Sequence, residues 1–278
     1  MSDASDEAIP VVTFLSDLGT TDETVGVCRA IITSLEPTAR IIDLTHDLLP
    51  YDVKAGALAL VRAVQYLPAG IVLAAIDPGD RRAIAVEVDG GILIGPDNGV
   101  LAPAVAMLGG PKRVVVCSNT EYQMDSPGAV LLARDVLAPA AGYLAAGVAF
   151  EDLGELVDPI SLTPSLLPLP TEEDGTVHGE VWWVDHLGCI QTNIDPDELR
   201  GLCAEVGASL EVTIGGTTRM ARWADHVRNA KSSELVMVAD AYGLCSFAMD
   251  RASAAAALSV RAGAAVSITP PDRQGAPA

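Results

Sequence analysis

Acidic residues that can bind a sugar or activate water stand directly after predicted strands of this chain. Asp17 follows the apolar run from Val11 to Leu15 and precedes a helix start at which Thr20 and Glu23 have the spacing of a capping box. A carboxylate at such a strand end can accept hydrogen bonds from two neighbouring hydroxyls, as a ribose diol offers. The same position also suits an aspartate that only closes the turn, so both interpretations stand.

A second acidic turn, Asp77-Pro78-Gly79, is followed by two arginines, Arg81 and Arg82. Asp77 ends a strand that should be central in the sheet, which predicts partial desolvation of its carboxylate. An adjacent guanidinium can hold that carboxylate ionised and oriented, and the sequence leaves open which arginine does so. A surface ion pair in a hairpin is the alternative. We predict that Asp77 lies at the reactive centre.

Other candidate positions also have two interpretations each. Asp22 is either a ligand residue or a charge that complements the dipole of the first helix. Tyr51 either covers a ribose or base with its ring or is a half-buried loop aromatic. The turn with Asp97 and Asn98 either fixes backbone or contacts ligand. Asp185, at a strand end in the second half of the chain, can reach an ammonium or an exocyclic amine.

Composition excludes several classes of function. The chain has 278 residues, half of them hydrophobic, which allows a substantial core. A net charge of −20, from 37 acidic and 17 basic residues, argues against nucleic acid or an anionic membrane as partner. The five cysteines are far apart and the four histidines do not cluster, so no metal site or disulfide framework is expected. Without a long apolar run or a signal-peptide pattern, the expected location is the cytoplasm.

The elements that must position these residues alternate between strand-like and helix-like patterns. The predicted strands are 11–15, 40–44, 71–76, 83–88, 92–94 and 113–117, and the predicted helices are 24–35, 53–67 and 131–146, the last kinked or restarted at Pro139. Such alternation predicts an α/β domain with a central, mostly parallel sheet.

A segment rich in proline separates this domain from the remainder. Residues 161–175 hold three prolines and then three acids, which favours an extended linker. We predict an α/β domain over 1–165, a linker over 166–176 and a smaller β-rich, barrel-like domain over 177–278. The strands predicted in the last are 177–184, 209–214, 217–223, 235–238 and 265–268, with one helix at 251–258.

Taken in order along the chain, several segments together resemble one enzyme family. The segments are Ser16 to Asp22, Ile42 to His46, Asp77 to Val86, Gly95 to Leu101, Ala133 to Asp135, Asp185 to Gly188 and Asp240 to Gly243. They look like the S-adenosylmethionine hydrolases, or hydroxide adenosyltransferases, a family that also contains the fluorinase and chlorinase. The resemblance runs over nearly the whole chain.

The resemblance implies a homotrimer that binds S-adenosylmethionine as its substrate, without a cofactor, between the nucleoside-binding α/β domain of one subunit and the β domain of the next. Asp17 would grip the ribose diol, Tyr51 would cover the sugar and Asp185 would hold the methionine end. The backbone from Ala241 to Leu244 would contact adenine. The substrate-binding residues so predicted are Asp17, Asp22, Tyr51, Ala133, Asp185, Cys189, Ala241 and Tyr242, and the catalytic ones are Asp77 and Arg81, two of the three residues that activate water in the family.

The chain departs from the family pattern at three places. Leu132 occupies the place of the family's histidine, the turn after Asp77 is shorter than usual, and Cys189 replaces an expected asparagine. The apolar patch from Val130 to Ala133 would suit a desolvated halide. The Asp77 carboxylate, however, would repel a halide and would assist water by accepting its proton. We therefore predict hydrolysis to adenosine and L-methionine, with a 5′-halogenase and an adenosine-binding protein without turnover as alternatives.

Overall fold

The computed structural model describes residues 10–76, 79–165, 167–201 and 205–269. Its internal contacts divide the chain into unit 1, residues 1–166, and unit 2, residues 167–278, so the division falls within the proline-rich segment. None of the helices in these described ranges has both the length and the apolar character that crossing a membrane requires.

Unit 1 is a seven-stranded sheet against which helices pack. Its strands are β1 (Val11–Ser16), β2 (Arg40–Thr45), β3 (Gly70–Ala75), β4 (Ala83–Val88), β5 (Gly91–Pro96), β6 (Arg113–Val116) and β7 (Glu155–Val157). Its α-helices are α1 (Thr24–Leu35), α2 (Val53–Val64), α3 (Ala102–Met107) and α4 (Ala138–Ala145), and a π-helix, Ala133–Leu137, directly precedes α4. Short 3-10 helices lie at Thr120–Tyr122, Phe150–Leu153 and Pro159–Ser161.

The sheet of unit 1 is mixed rather than mostly parallel. Its strand order is β2-β1-β3-β5-β4-β6-β7, and the pairs among β2, β1, β3 and β5 are parallel while those of β4, β6 and β7 are antiparallel. The antiparallel pairing of β4 with β5, which makes the sheet mixed, has a local cause. Only Asp89 and Gly90 separate β4 from β5, which is too short for a parallel crossover, and Gly90 has the positive φ of 81° that suits a tight hairpin turn.

Of two predictions about helix starts in unit 1, one is wrong and one is confirmed. The predicted capping box of Thr20 and Glu23 does not form, because α1 begins at Thr24, whose N–H donates to Asp22 Oδ1 at 2.9 Å. The Thr20 hydroxyl instead donates to Asp47 Oδ1 at 3.3 Å. Pro139, by contrast, stands in the first turn of α4, where its missing N–H costs no helical hydrogen bond, so the predicted restart is confirmed.

Unit 2 is a closed barrel. Its strands are β8 (Thr171–Glu173), β9 (Thr176–Val184), β10 (Ile190–Thr192), β11 (Ser209–Ile214), β12 (Thr217–Trp223), β13 (Leu235–Ala239), β14 (Cys245–Ala248) and β15 (Ala265–Thr269), with the helices α5 (Pro196–Gly201) and α6 (Ala254–Leu258). The order β10-β14-β13-β12-β11-β15-β9 closes through a β9–β10 pair, and β8 adds to β9 within the stretch predicted as linker. Trp223 and Phe247 fill its core, so the barrel-like prediction is confirmed.

The π-helix before α4 is fixed by a buried carboxylate. Asp135, 1% exposed, accepts two hydrogen bonds from the Arg134 guanidinium, at 2.5 and 2.8 Å, and one from the Leu131 N–H at 2.8 Å. The hydrogen bonds from Arg134, followed by that from Leu131, lower the pKa of Asp135 below its ordinary value. The carboxylate form is therefore stabilised by folding.

Replacing this carboxylate with an amide, Asp135→Asn, is expected to lower the free energy of unfolding by about 2 kcal/mol at pH 7, because an NH₂ group would face the donors of Arg134 and Leu131. A carboxyl with a depressed folded-state pKa contributes stability above its unfolded pKa and loses it as the pH falls through the folded value. The difference between wild type and variant should thus shrink below about pH 4. Urea unfolding at several pH values measures this, and Asp197→Asn, which breaks only the exposed pair with Arg200, should leave stability unchanged.

Candidate active site

The carboxyl ends of the parallel strands of unit 1 lie at one edge of the sheet, and polar residues follow each of them. Asp17 follows β1, His46 follows β2 and Asp97 follows β5, while Ile76, the residue before Asp77, follows β3. In open α/β sheets this edge is where ligands bind. The topology thus brings Asp17, His46 and Asp97 to one edge of the sheet.

The carboxylate of Asp17 is held by the loop after β2. Its Oδ2 accepts a hydrogen bond of 2.8 Å from the backbone N–H of Tyr51, 34 residues along the chain. Tyr51 has a φ of 67°, a left-handed conformation that is unfavourable for a tyrosine and persists only where the surrounding structure requires it. Tyr51 is 77% exposed. The structure therefore joins the Asp17 carboxylate to the backbone of Tyr51, while the covering of a sugar by the Tyr51 ring stays a prediction.

The loop that carries Asp17 is also tied to its neighbours through backbone. The Asp17 N–H donates to the Ala75 carbonyl at 3.3 Å, and the Gly19 N–H donates to the His46 carbonyl at 2.8 Å. Gly19 has a φ of 75°, which explains a glycine here. The loop after β1 is thus fixed between the ends of β2 and β3.

The turn after β5 supports the loop after β3. The Asn98 side chain, buried, donates from Nδ2 to the Ile76 carbonyl at 2.9 Å and accepts from the Val100 N–H at 3.1 Å. Of the two interpretations of this turn, the fixing of backbone is the one that the structure shows. The reactive-centre prediction at Asp77 itself lies outside the described residues, as does Pro78.

The two arginines that follow have different environments. Arg82 donates through Nε and Nη2 to Oδ2 of the buried Asp97 at 2.8 Å, and through Nη2 to the carbonyl and hydroxyl of Ser161 at 3.2 Å. The other oxygen of Asp97 accepts from the Thr163 N–H at 2.8 Å. Arg82 therefore connects the turn after β5 with the segment that holds Ser161. Arg81, by contrast, is exposed and forms no hydrogen bond or ion pair with the described residues. A catalytic role for Arg81 stays a prediction.

The remaining candidates of unit 1 have structural roles. Ala133 is 1% exposed and belongs to the apolar core, against which Leu132 packs. Asp22 is exposed, and accepting the Thr24 N–H lowers the pKa of its carboxyl. Contacts of Ala133 and Asp22 with substrate stay predictions.

In unit 2, Asp185 closes the turn between β9 and β10. Its Oδ1 accepts from the N–H groups of Leu187, at 2.9 Å, and Cys189, at 2.8 Å. Cys189 lies beside it, and burial together with the Asp185 carboxylate raises the pKa of the thiol to about 11. The thiol is therefore neutral at physiological pH and acts as a weak donor.

A second carboxylate of unit 2 organises the turn between β13 and β14. Asp240 accepts hydrogen bonds from the N–H groups of Tyr242, at 2.8 Å, and Leu244, at 3.1 Å, through Oδ1. Its Oδ2 accepts from the Ser246 hydroxyl at 2.7 Å and from the Gln191 amide. The Tyr242 and Leu244 amides are therefore used within the turn that holds Ala241 and the half-exposed Tyr242.

Comparison with known proteins decides which family these features belong to. The models of the SAM hydroxide adenosyltransferase N-terminal domain and C-terminal domain match residues 12–154 and 179–267, one in each unit. The chain belongs to this family. The recognition made from the sequence motifs is confirmed.

Individual members of the SAM hydroxide adenosyltransferase family cover most of this chain. It is 36% identical to the (R)-S-adenosyl-L-methionine hydrolase of Salinispora tropica, over 94% of this chain and 98% of that protein. It is 28% identical to the fluorinase of an Actinoplanes species, over 68% of this chain and 73% of that protein. The crystal structure of an uncharacterised conserved protein from Thermotoga maritima superposes with a TM-score of 0.84 at 28% identity, covering 93% of this chain and 99% of that one.

Sequence reasoning assigned no role to several residues that support the candidate loops within each of the two units. They are Ser16, Asp43, Ser161, Thr163, Gln191 and Ser246. Most of them act through a partner far along the chain, such as Ser161 with Arg82, 79 residues away, whereas Asp43 and Ser246 pair with residues three and six positions away. The only local signal was the clustering of small polar residues at strand ends.

Proposed function

We propose that this protein cleaves S-adenosyl-L-methionine by attack of water on the 5′ carbon, giving adenosine and L-methionine. The observation that carries the proposal is the Asp17 carboxylate, oriented by the Tyr51 N–H at the carboxyl edge of a sheet whose next strand leads into Asp77. The identity of 36% to a named hydrolase over nearly the whole chain supports the same reaction.

The reaction balances without a cofactor. The oxygen of water forms a bond to the 5′ carbon while the bond from that carbon to sulfur breaks, and the bonding electron pair passes to sulfur and neutralises the sulfonium. The proton of the attacking water goes to the Asp77 carboxylate and then to solvent. Because the leaving group is already cationic, positioning of water and the 5′ carbon supplies most of the rate.

The remaining groups are proposed to hold the substrate. Asp17 accepts the two ribose hydroxyls and Tyr51 covers the sugar with its exposed ring. Asp185 is the anionic partner for the ammonium of the methionine end. Tyr242 and Leu244 use their N–H groups on Asp240, and the carbonyls of Asp240 and Leu244 accept hydrogen bonds within the turn. The carbonyls of residues 241–243 are therefore the backbone groups suited to the exocyclic amine of adenine.

Three observations favour water over a halide as the nucleophile. The chain carries a net charge of −20, which lowers the local concentration of anions. The Asp77 carboxylate would repel a halide close to the reacting carbon, whereas it accepts a proton from water. Fluorinase relatives are also less similar, at 28% against 36% identity.

Isotopic labelling tests this assignment directly. Turnover of substrate in ¹⁸O-labelled water should place the label in adenosine and none in methionine, since water attacks carbon. Label in neither product, or a 5′-chloro nucleoside formed in the presence of chloride, would contradict hydrolysis. The two sulfonium epimers should be assayed separately, because the Salinispora relative is named for the (R) form.

Binding without turnover is the second candidate function, and Leu132 favours it. Its aliphatic side chain packs on the core of unit 1 and has no group that exchanges a proton, so no general base stands there. Tight adenosine binding with intact substrate after long incubation would select this alternative.

We further propose that the protein assembles as a homotrimer. Exposed apolar side chains stand on the candidate ligand loops of both units, namely Leu49 and Tyr51 in unit 1 and Leu187 and Tyr242 in unit 2. Such side chains are typical of surfaces that are covered in an assembly. Light scattering after size exclusion should give three times the chain mass of 28.7 kDa, and a monomer mass would contradict the proposal.

A further inference from the structure

A row of hydrogen-bonded side chains, buried at Ser16 and His46 and exposed at its far end, adjoins the loop that carries Asp17. The Ser16 Oγ lies 2.8 Å from His46 Nδ1, and His46 Nε2 lies 3.1 Å from Asp43 Oδ1. Ser16 is fully buried and the His46 side chain is 6% exposed, so neither contacts bulk water. Arg29 of α1 ends this row through Nη1, 3.2 Å from the second oxygen of Asp43.

The hydrogen bonds of this row of side chains connect Ser16, His46 and Asp43 in sequence. Asp43 can only accept, so His46 donates to it from Nε2. On the other side of the ring, Nδ1 and the Ser16 hydroxyl share one hydrogen bond, whose donor depends on where the ring carries its protons. The Ser16 oxygen also accepts the Leu18 N–H at 3.4 Å, so Ser16, His46 and Asp43 each have a partner on both sides.

The local fold explains why His46 reaches this position. The β1–β2 register shifts between Phe14, which pairs with Asp43, and Leu15, which pairs with Thr45, so β2 holds one additional residue there. The Phe14 ring contacts the imidazole edge to face, with centroids 4.7 Å apart, and fixes its plane.

His46 also holds the far end of the same loop, because its carbonyl accepts the Gly19 N–H at 2.8 Å. One residue therefore binds the Asp17 loop on both sides, by its ring at Ser16 and by its backbone at Gly19. We propose that His46 is a positioning residue for Asp17, which sets the carboxylate for two ribose hydroxyls while lying outside contact with substrate. The inference rests on the proposed function, since it concerns the binding of a ribose diol.

Calorimetric binding of adenosine tests the role of the ring. His46→Ala should weaken adenosine binding about 10- to 100-fold while changing kcat at saturating substrate much less, because misplacement of Asp17 affects the diol contact and not the attack on the 5′ carbon. His46→Asn, whose side-chain oxygen can accept from Ser16, should recover most of the affinity. Ser16→Ala should weaken binding less than His46→Ala, and the double variant should bind like His46→Ala alone.

The matched control is Val115→Ala on β6, a buried position in the same core that lowers stability and is separated from β1 by β3, β5 and β4 in the sheet. It should leave adenosine affinity unchanged. His46→Ala binding within twofold of wild type, or equal losses in His46→Ala and Val115→Ala, would overturn the inference. Hydrogen exchange gives a readout without ligand, in which the amides of Leu18 and Gly19 should lose protection in His46→Ala. Wild type that binds no adenosine would instead refute the proposed function, and the inference with it.

Discussion

Asp77→Asn is expected to lower kcat for adenosine formation by about 10²- to 10⁴-fold, the range for loss of a positioned general base. The amide cannot accept the proton of the attacking water, while its size and its place after β3 are kept. The dissociation constant of adenosine should change little, because the nucleoside is held elsewhere. Quenched-flow or stopped assays of adenosine by chromatography measure the change.

Asp80→Asn is the matched control for this variant, since Asp80 is an exposed acid in the same turn. Its kcat should stay within about twofold of wild type. If Asp77→Asn and Asp80→Asn have the same kcat, Asp77 is not the base. Arg81→Ala and Arg82→Ala separate the two arginines, because the first should reduce kcat and the second should reduce stability through Asp97.

Asp17→Ala is expected to raise the adenosine dissociation constant and the substrate KM by about 10²- to 10³-fold. Two hydrogen bonds between a carboxylate and the ribose diol are lost, each worth roughly 1.5–3 kcal/mol, and part of that loss is compensated by water. The Tyr51 N–H also loses its acceptor. Calorimetry with adenosine measures the change without dependence on turnover.

Comparison with 2′-deoxyadenosine sharpens this test. Wild type should bind adenosine more tightly than 2′-deoxyadenosine. Asp17→Ala should bind the two nucleosides almost equally, because it lacks the carboxylate that accepts hydrogen bonds from the 2′- and 3′-hydroxyls. Asp47→Asn, a nearby exposed acid that only accepts from Thr20, should keep the preference of wild type. A variant at Asp17 that still discriminates between the nucleosides would contradict the assigned contact.

Local patterns account for most of the fold that could be predicted. The apolar runs of β1, β2, β4, β11 and β12 match the observed strands to within one or two residues, because alternation and β-branched residues are properties of the segment itself. The placing of Asp17 at a strand end follows from the same patterns. The resemblance to a known family added the prediction that these separate residues bind one substrate.

The features that sequence patterns missed depend on contacts between distant segments. The capping box failed because the Thr20 hydroxyl donates to Asp47, 27 residues away. The pairing of Arg82 with Asp97 and Ser161 likewise joins three separate segments. Periodicity carries no information about such pairs, so it could not separate the structural arginine from Arg81.

The measurement that tests the central claim most directly is the incubation of purified protein with S-adenosylmethionine, with and without millimolar chloride, followed by chromatography and mass spectrometry of the nucleosides. We predict adenosine and L-methionine in equal amounts, at a rate that chloride does not change and that Asp77→Asn lowers by about 10²- to 10⁴-fold. Intact substrate in every sample, or a 5′-chloro nucleoside, would contradict the account.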